Sequence, residues 1–237
     1  LKFHKGYLTT ITGVPGHGKS DFLDHILIKL LQKHGWKGAF YSPENRPVEL
    51  HISKLMRKIT QRPFQGHNRM NQEEVYEALM LLENNIYFVK PEKDFTLDSI
   101  LSKVAELKNR RNIDWFVIDA WNKLEHQYSE SETKYIGQSL DKIVNFCERY
   151  NVHCFLVAHP RKIQKKDGGI YEVPTLYDIA GSANFFNKTD NGITVYRNFQ
   201  NNSVEVHVQK VKFSHWGAVG TQNFAYDIAT GLYIEKL

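Results

Sequence analysis

Little in this chain of 237 residues points to the cell exterior or to a bilayer. It holds only two cysteines, Cys147 and Cys154, too few for a disulfide framework; both are expected to be buried small hydrophobes in a reducing compartment. No uninterrupted apolar run approaches the roughly 18 residues that cross a membrane, so no membrane partner is expected. Leu1-Lys2-Phe3-His4-Lys5 opens the chain without an initiator Met and without the apolar stretch of a signal peptide. No repeat, low-complexity segment or internal linker interrupts it.

What the chain does have is ordinary globular material: 41% hydrophobic, 13% aromatic and 24% charged residues, with mean hydropathy −0.47. Its length suits one large α/β domain over 1–237. The net charge of +5 is a mild surplus, compatible with a polyanionic partner and insufficient to require one.

Apolar periodicity alternates between strand and helix. Strands are predicted over 7–12, 39–41, 86–89, 115–118 and 154–158. Helices are predicted over 21–33, 47–59, 71–82, 97–110 and 136–150, the third opened by a capping box of Asn71 and Glu74. That alternation is the mark of a doubly wound, mostly parallel sheet flanked by helices. After residue 174 the pattern changes. Runs at 193–196, 204–208 and 233–234 read as antiparallel strands, so the sheet is expected to end in C-terminal hairpins.

Gly13-Val14-Pro15-Gly16-His17-Gly18-Lys19-Ser20 fits G-x-x-x-x-G-K-[ST] in full and lies between a strand and a helix. Glycines there let backbone N–H groups close on phosphate oxygens, and the helix N-terminus adds partial positive charge. Lys19 suits the β- and γ-phosphates, Ser20 a Mg²⁺ position, and Asp21 the first helical turn beside the nucleotide. Downstream, the apolar strand 115–118 ends on Asp119, placed to hold the Mg²⁺ shell. ATP and Mg²⁺ are therefore the expected cofactors. Glu44 follows the second strand; position alone leaves it either a general base or an acid that complements a helix dipole.

The order of these motifs, followed by Leu156-Val157-Ala158-His159-Pro160-Arg161-Lys162 and Asp178-Ile179-Ala180-Gly181-Ser182-Ala183, resembles the RecA-like motor of the DnaB helicase family, and within it the Twinkle branch and the phage primase-helicases. The resemblance runs from Gly6 to Ile234. It implies that Glu44 is the catalytic glutamate and that His159 senses the γ-phosphate. It implies that Arg197 and Tyr226 sandwich the base. It also implies that Arg161, Lys162, Lys165 and Lys166 line a channel loop on single-stranded DNA, where basic side chains track phosphates without reading sequence.

One position departs from the family pattern. A late Lys-x-Arg-Phe, whose Arg acts on the neighbouring subunit's γ-phosphate, is here Lys210-Val211-Lys212-Phe213. Lys212 keeps the charge but loses the bidentate fork, with Lys210 on the same strand face, so slower hydrolysis is expected. The implied activity is a 5′-to-3′ replicative helicase working as a ring hexamer at a replication fork, in the cytoplasm of a bacterial or phage-infected cell rather than a mitochondrial matrix. A primase domain or partner is implied upstream, as is a linker helix, without which a stable ring is not expected. Two other readings stay open: a RecA- or RadA-type strand-exchange ATPase, and a nucleotide-gated assembly module that hydrolyses ATP poorly.

Overall fold

A computed structural model describes residues 1–91, 94–126, 131–161, 171–179 and 183–236. Strands that are apolar on both faces need a helical layer on each side. β1 (Leu8–Thr12), β4 (Trp115–Asp119) and β5 (His153–Val157) are buried along their whole length. Within β4 the side chains alternate: Trp115 and Val117 join one core, Phe116 and Ile118 the other. The first core packs under α1 (Lys19–His34), α2 (Val48–Thr60) and α3 (Gln72–Asn85). The second packs under α4 (Leu97–Arg111), α5 (Glu132–Tyr150) and the short α6 (Ala183–Lys188).

With β2 (Gly38–Tyr41), β3 (Ile86–Phe88), β6 (Asn191–Asn198), β7 (Ser203–Val211), β8 (Gly220–Asp227) and β9 (Leu232–Glu235), the sheet has nine strands among the described residues, in the order β3-β2-β4-β5-β1-β6-β7-β8-β9. Strands β3 to β6 along that order are parallel; β6 to β9 are antiparallel. The expected α/β class, parallel centre and C-terminal hairpins are all present. One detail differs: the first of the late strands, β6, also pairs in parallel with β1, Thr9 opposite Asn191. It is thus the last member of the parallel sheet as well as the first of the hairpins. The sequence pattern predicts neither β8 nor α6.

Local chemistry sets the helix ends. The capping box of Asn71 and Glu74 forms, both bonds at 2.8 Å. α1 stops at Gly35, whose left-handed φ of 66° lets its N–H reach the carbonyls of Leu30 and Leu31. Cys147 and Cys154 are free and fully buried, as expected. Among the described residues, no helix is long and apolar enough to cross a membrane.

Candidate active site

β1, β2, β4 and β5 all deliver their carboxyl ends to one rim of the sheet, and the candidate residues gather there. The loop leaving β1 runs along the projecting end of β6. A Cβ on Gly13 would lie 2.1 Å from the Val195 carbonyl oxygen, so no side chain fits at this position. Gly16 and Gly18 sit at φ 79° and 91°, in the left-handed region. Gly18 caps α1 without a side-chain acceptor, so the first N–H groups of the helix are available to an anion.

Lys19 is buried, its ammonium donating to the carbonyls of Gly13 (2.9 Å) and Val14 (3.2 Å). Burial lowers its pKa to about 8, against the opposing pull of Asp119 and Glu44. Asp119 lies at the end of β4. Its Oδ2 accepts from the Ser42 hydroxyl (3.1 Å) and the Asn45 amide (3.4 Å), and the Ser20 hydroxyl lies beside the carboxylate. Burial raises its pKa to about 6; Asp24 and Glu44 push the same way, and the two hydroxyls resist. Its Oδ1 is buried and has no hydrogen-bond partner among the described residues. An orphaned carboxylate oxygen beside a serine hydroxyl is the hard-oxygen donor set that suits Mg²⁺ shared with phosphate.

The Glu44 carboxylate is partly exposed between two cationic or imidazole groups: Lys123 Nζ at 3.8 Å from one oxygen and His159 Nε2 at 3.7 Å from the other. Burial and the charges of Lys19 and Lys123 lower the His159 pKa, while Glu44 raises it. Lys123, Ser42 and Asn45 were not singled out in the sequence. Nothing in their spacing marks them; the turn at Trp121–Lys123 and the cap of α2 bring them in.

Arg197 and Tyr226 also meet: the guanidinium lies 5.9 Å from the Tyr226 ring centroid and 5.3 Å from that of Phe199. Burial, with the charge of Asp21 beside it, pushes the Tyr226 pKa up to about 12.

His17 and Asp21 are engaged by partners within the protein. The His17 ring packs against β6, its Nδ1 accepting from the Arg197 N–H at 3.0 Å. Asp21 pairs with the buried Lys58 at 3.0 Å and sets its charge beside the rings of Tyr226 and Tyr233, the latter's hydroxyl donating to the Gly18 carbonyl at 3.4 Å.

Lys210 and Lys212 sit at the opposite end of the sheet. Lys210 donates to the Phe186 carbonyl, and Lys212 bonds Asp190 at 2.6 Å beside the start of β1. Arg161 is exposed and held by its backbone to the Asp178 carbonyl. Lys162, Lys165 and Lys166 lie outside the described residues.

A phosphate loop after β1, a buried acid ending β4 and a glutamate after β2, all on one rim, define a P-loop nucleotide-binding protein of the doubly wound class. Residues 2–231 match the DnaB-like helicase C-terminal domain, and the chain belongs to that family. It is 38% identical over 246 aligned residues to the Twinkle homolog protein, chloroplastic/mitochondrial, of Arabidopsis thaliana, covering 98% of this chain and 34% of that protein. The chain thus spans about a third of that relative's length. Its fold is shared with a solved ATPase domain (TM-score 0.80, 18% identity, 99% of this chain and 86% of that one). It is shared also with a DnaB-like replicative helicase studied with its interactions with primase (TM-score 0.78, 19% identity, 98% and 58%).

Proposed function

We propose that the chain is the ATP- and Mg²⁺-dependent motor of a replicative DNA helicase, moving 5′ to 3′ on single-stranded DNA within a ring of six copies. The observation that carries this reading is the convergence of Lys19, Asp119, Glu44 and His159 from four different strand ends on one rim.

In this reading Lys19 exchanges its carbonyl partners for β- and γ-phosphate oxygens. Ser20 and Asp119 would hold Mg²⁺, which would supply positive charge against the transferring phosphate. Glu44 orients a water for in-line attack on the γ-phosphorus and takes its proton as the bond to the bridging oxygen breaks, releasing ADP and phosphate. His159, within reach of Glu44 and one residue past Ala158, lies two positions before Arg161. A shift at the γ-phosphate therefore has a short covalent route to the basic loop. Lys212 acts on the next copy's phosphate, and a primase domain or partner works alongside.

The test is unwinding of a forked duplex, with ATPase measured with and without single-stranded DNA, in a chain that includes upstream residues. DNA-stimulated turnover with unwinding is expected. Turnover with strand pairing but no unwinding would favour a strand-exchange ATPase; a negligible rate that DNA does not raise would favour a nucleotide-gated module. Replacing Arg161, Lys162, Lys165 and Lys166 with Ala should flatten the salt dependence of single-strand binding, by about 0.7 in log–log slope per lost phosphate contact. An unchanged slope would remove that loop from the DNA path.

A further inference from the structure

β6 runs past the carboxyl end of β1. The last paired residues are Thr12 and Thr194, and Val195 to Asn198 project beyond them. On that projecting edge the backbone of Val195 and Arg197 faces the side that β1 has vacated, because every second residue of a strand points its N–H and C=O the same way. The phosphate loop fills the gap in two places. Gly13 lies against the Val195 carbonyl, closely enough to exclude a Cβ. His17 then supplies Nδ1 as the acceptor for the Arg197 N–H, at 3.0 Å.

A backbone N–H can only donate, so Nδ1 carries the lone pair and the ring proton sits on Nε2. The ring is buried and wedged between Tyr196 (centroids 5.1 Å apart) and Phe199 (5.4 Å), with Tyr171 at 6.2 Å. Burial and the charges of Lys19 and Arg197 hold its pKa at about 4, which keeps that lone pair free at neutral pH. The same Arg197 extends its guanidinium over Phe199 and toward Tyr226.

We propose that His17 is a positioning residue for nucleobase recognition: its bond to Arg197 fixes the register between the loop that holds the triphosphate and the strand that presents Arg197 and Tyr226 to the base. The inference rests on the reading of Arg197 and Tyr226 as the base clamp. Without the bond, the phosphate cradle remains intact, since Gly13, Gly18 and Lys19 build it. The clamp, however, loses its set distance from the phosphates. The substrate feature at stake is the span from base to triphosphate, and the loss belongs to nucleotides with a base and not to bare polyphosphate.

The test compares binding of MgATP and of magnesium tripolyphosphate to the full chain. His17→Ala is expected to weaken MgATP roughly tenfold, the scale of having to order the loosened Arg197 and Tyr226 side chains on binding, and to leave tripolyphosphate within about twofold. His17→Asn, whose Oδ1 sits near the Nδ1 position, should restore MgATP binding to within about threefold of the parent. His17→Gln keeps bulk but carries its acceptor one bond farther out. It should behave like Ala, and it replaces Ala should that variant fail to fold.

Arg197→Ala is run in parallel. If it weakens MgATP selectively while His17→Ala does not, the clamp stands and the register role of His17 is wrong. If Arg197→Ala leaves the two ligands equally bound, the clamp itself is wrong, and the inference falls with it. Equal weakening of both ligands by His17→Ala would mean that the imidazole only shapes the loop, which also overturns the proposal.

Discussion

Glu44 and Asp119 are both carboxylates on the same rim, yet their surroundings assign them different work. Glu44 is partly open to solvent and flanked by Lys123 and His159 at 3.8 and 3.7 Å, close to where a water could be held. Glu44→Gln should bind ATP as the parent does and turn it over roughly 10²-fold or more slowly, the usual consequence of removing a general base. Equilibrium nucleotide binding beside steady-state ATPase checks this, and lost binding would make Glu44 structural.

Asp119 is buried with one oxygen unpartnered among the described residues and a pKa raised to about 6, so at neutral pH its charge opposes folding. Asp119→Asn should abolish hydrolysis while raising stability by about 1–3 kcal/mol, since two pKa units correspond to roughly that much. Thermal melting without nucleotide should show a gain of several degrees, on the scale of about 2–4 °C per kcal/mol for a domain of this size. A lower Tm would mean that the hydrogen bonds from Ser42 and Asn45 outweigh the buried charge.

α1 and α2 are clipped together by two polar pairs beneath the phosphate loop. His51 Nε2 meets Asp24 Oδ1 at 3.0 Å with both side chains buried, and Lys58 meets Asp21 at 3.0 Å. The first pair ties the opening turn of α2, a few residues past Glu44, to the helix that begins with Lys19 and Ser20. Asp24 Oδ2 has no partner among the described residues, so His51→Leu would leave the whole carboxylate stranded. Its expected cost is roughly 3–5 kcal/mol, whereas Asp24→Leu with His51→Leu should recover much of that loss. Denaturant unfolding of the four-member cycle measures the difference, and simple additivity would show that the pair is not coupled.

Elements whose sequence carries a period were legible, and those without one were not. The five central strands and the helices between them show apolar runs or apolar stripes, and the turn chemistry at Gly35 and Asn71 marks where they begin and stop. β8 starts Gly220-Thr221-Gln222-Asn223 and is exposed there, so it has no hydrophobic signature and is held by pairing with Val204 to Val208 of β7. α6 has six residues, too few for a helical period to register. The parallel partnership of β6 with β1 depends on which strand lies beside it in space, a property that no local pattern encodes. At the site, the phosphate loop and Asp119 were readable because a backbone shape and a strand end impose them. Lys123 was not, because only the folded turn after β4 carries it to Glu44.

Among the described residues, histidines whose pKa burial lowers outnumber the one carboxylic acid whose pKa it raises, and that imbalance sets the response to pH. His17, His25 and His153 each have a pKa near 4 against an ordinary 6.5, chiefly through burial. His153 shows the reason: with its proton on Nδ1 it donates to the His4 carbonyl at 2.6 Å while Nε2 accepts from Thr9 at 2.9 Å, so the neutral ring is already satisfied. Such groups take up protons on unfolding, and their contribution to stability is lost as pH falls from about 6.5 toward 4. Asp119 works the other way across the span from 6 to 3.8. These three rings against Asp119 contribute a net loss of about 2.7 kcal/mol per pH unit near pH 5, and His126 and His159, also lowered, act in the same direction. Urea unfolding at pH 7.5, 6 and 5 should therefore give steadily falling midpoints; a midpoint that rises toward pH 5 would contradict the buried, neutral state of these rings.

Lys212 and the phosphate loop lie at opposite ends of the same sheet, separated by the length of β1, roughly 13–17 Å. No bending of one side chain closes that gap, so a cation at Lys212 can meet a nucleotide only on another copy. A contact that joins the tail of one copy to the head of the next is heterologous: it either closes on itself or leaves one head and one tail unmatched. With Lys212 acting as the proposed finger, an open row of copies would always contain one nucleotide bound without it, and a lone copy would contain nothing else. If Lys212 is that finger, fuel consumption per chain should climb steeply with protein concentration and level off when the circle closes, and idleness would be the default for any copy not yet threaded into its assembly.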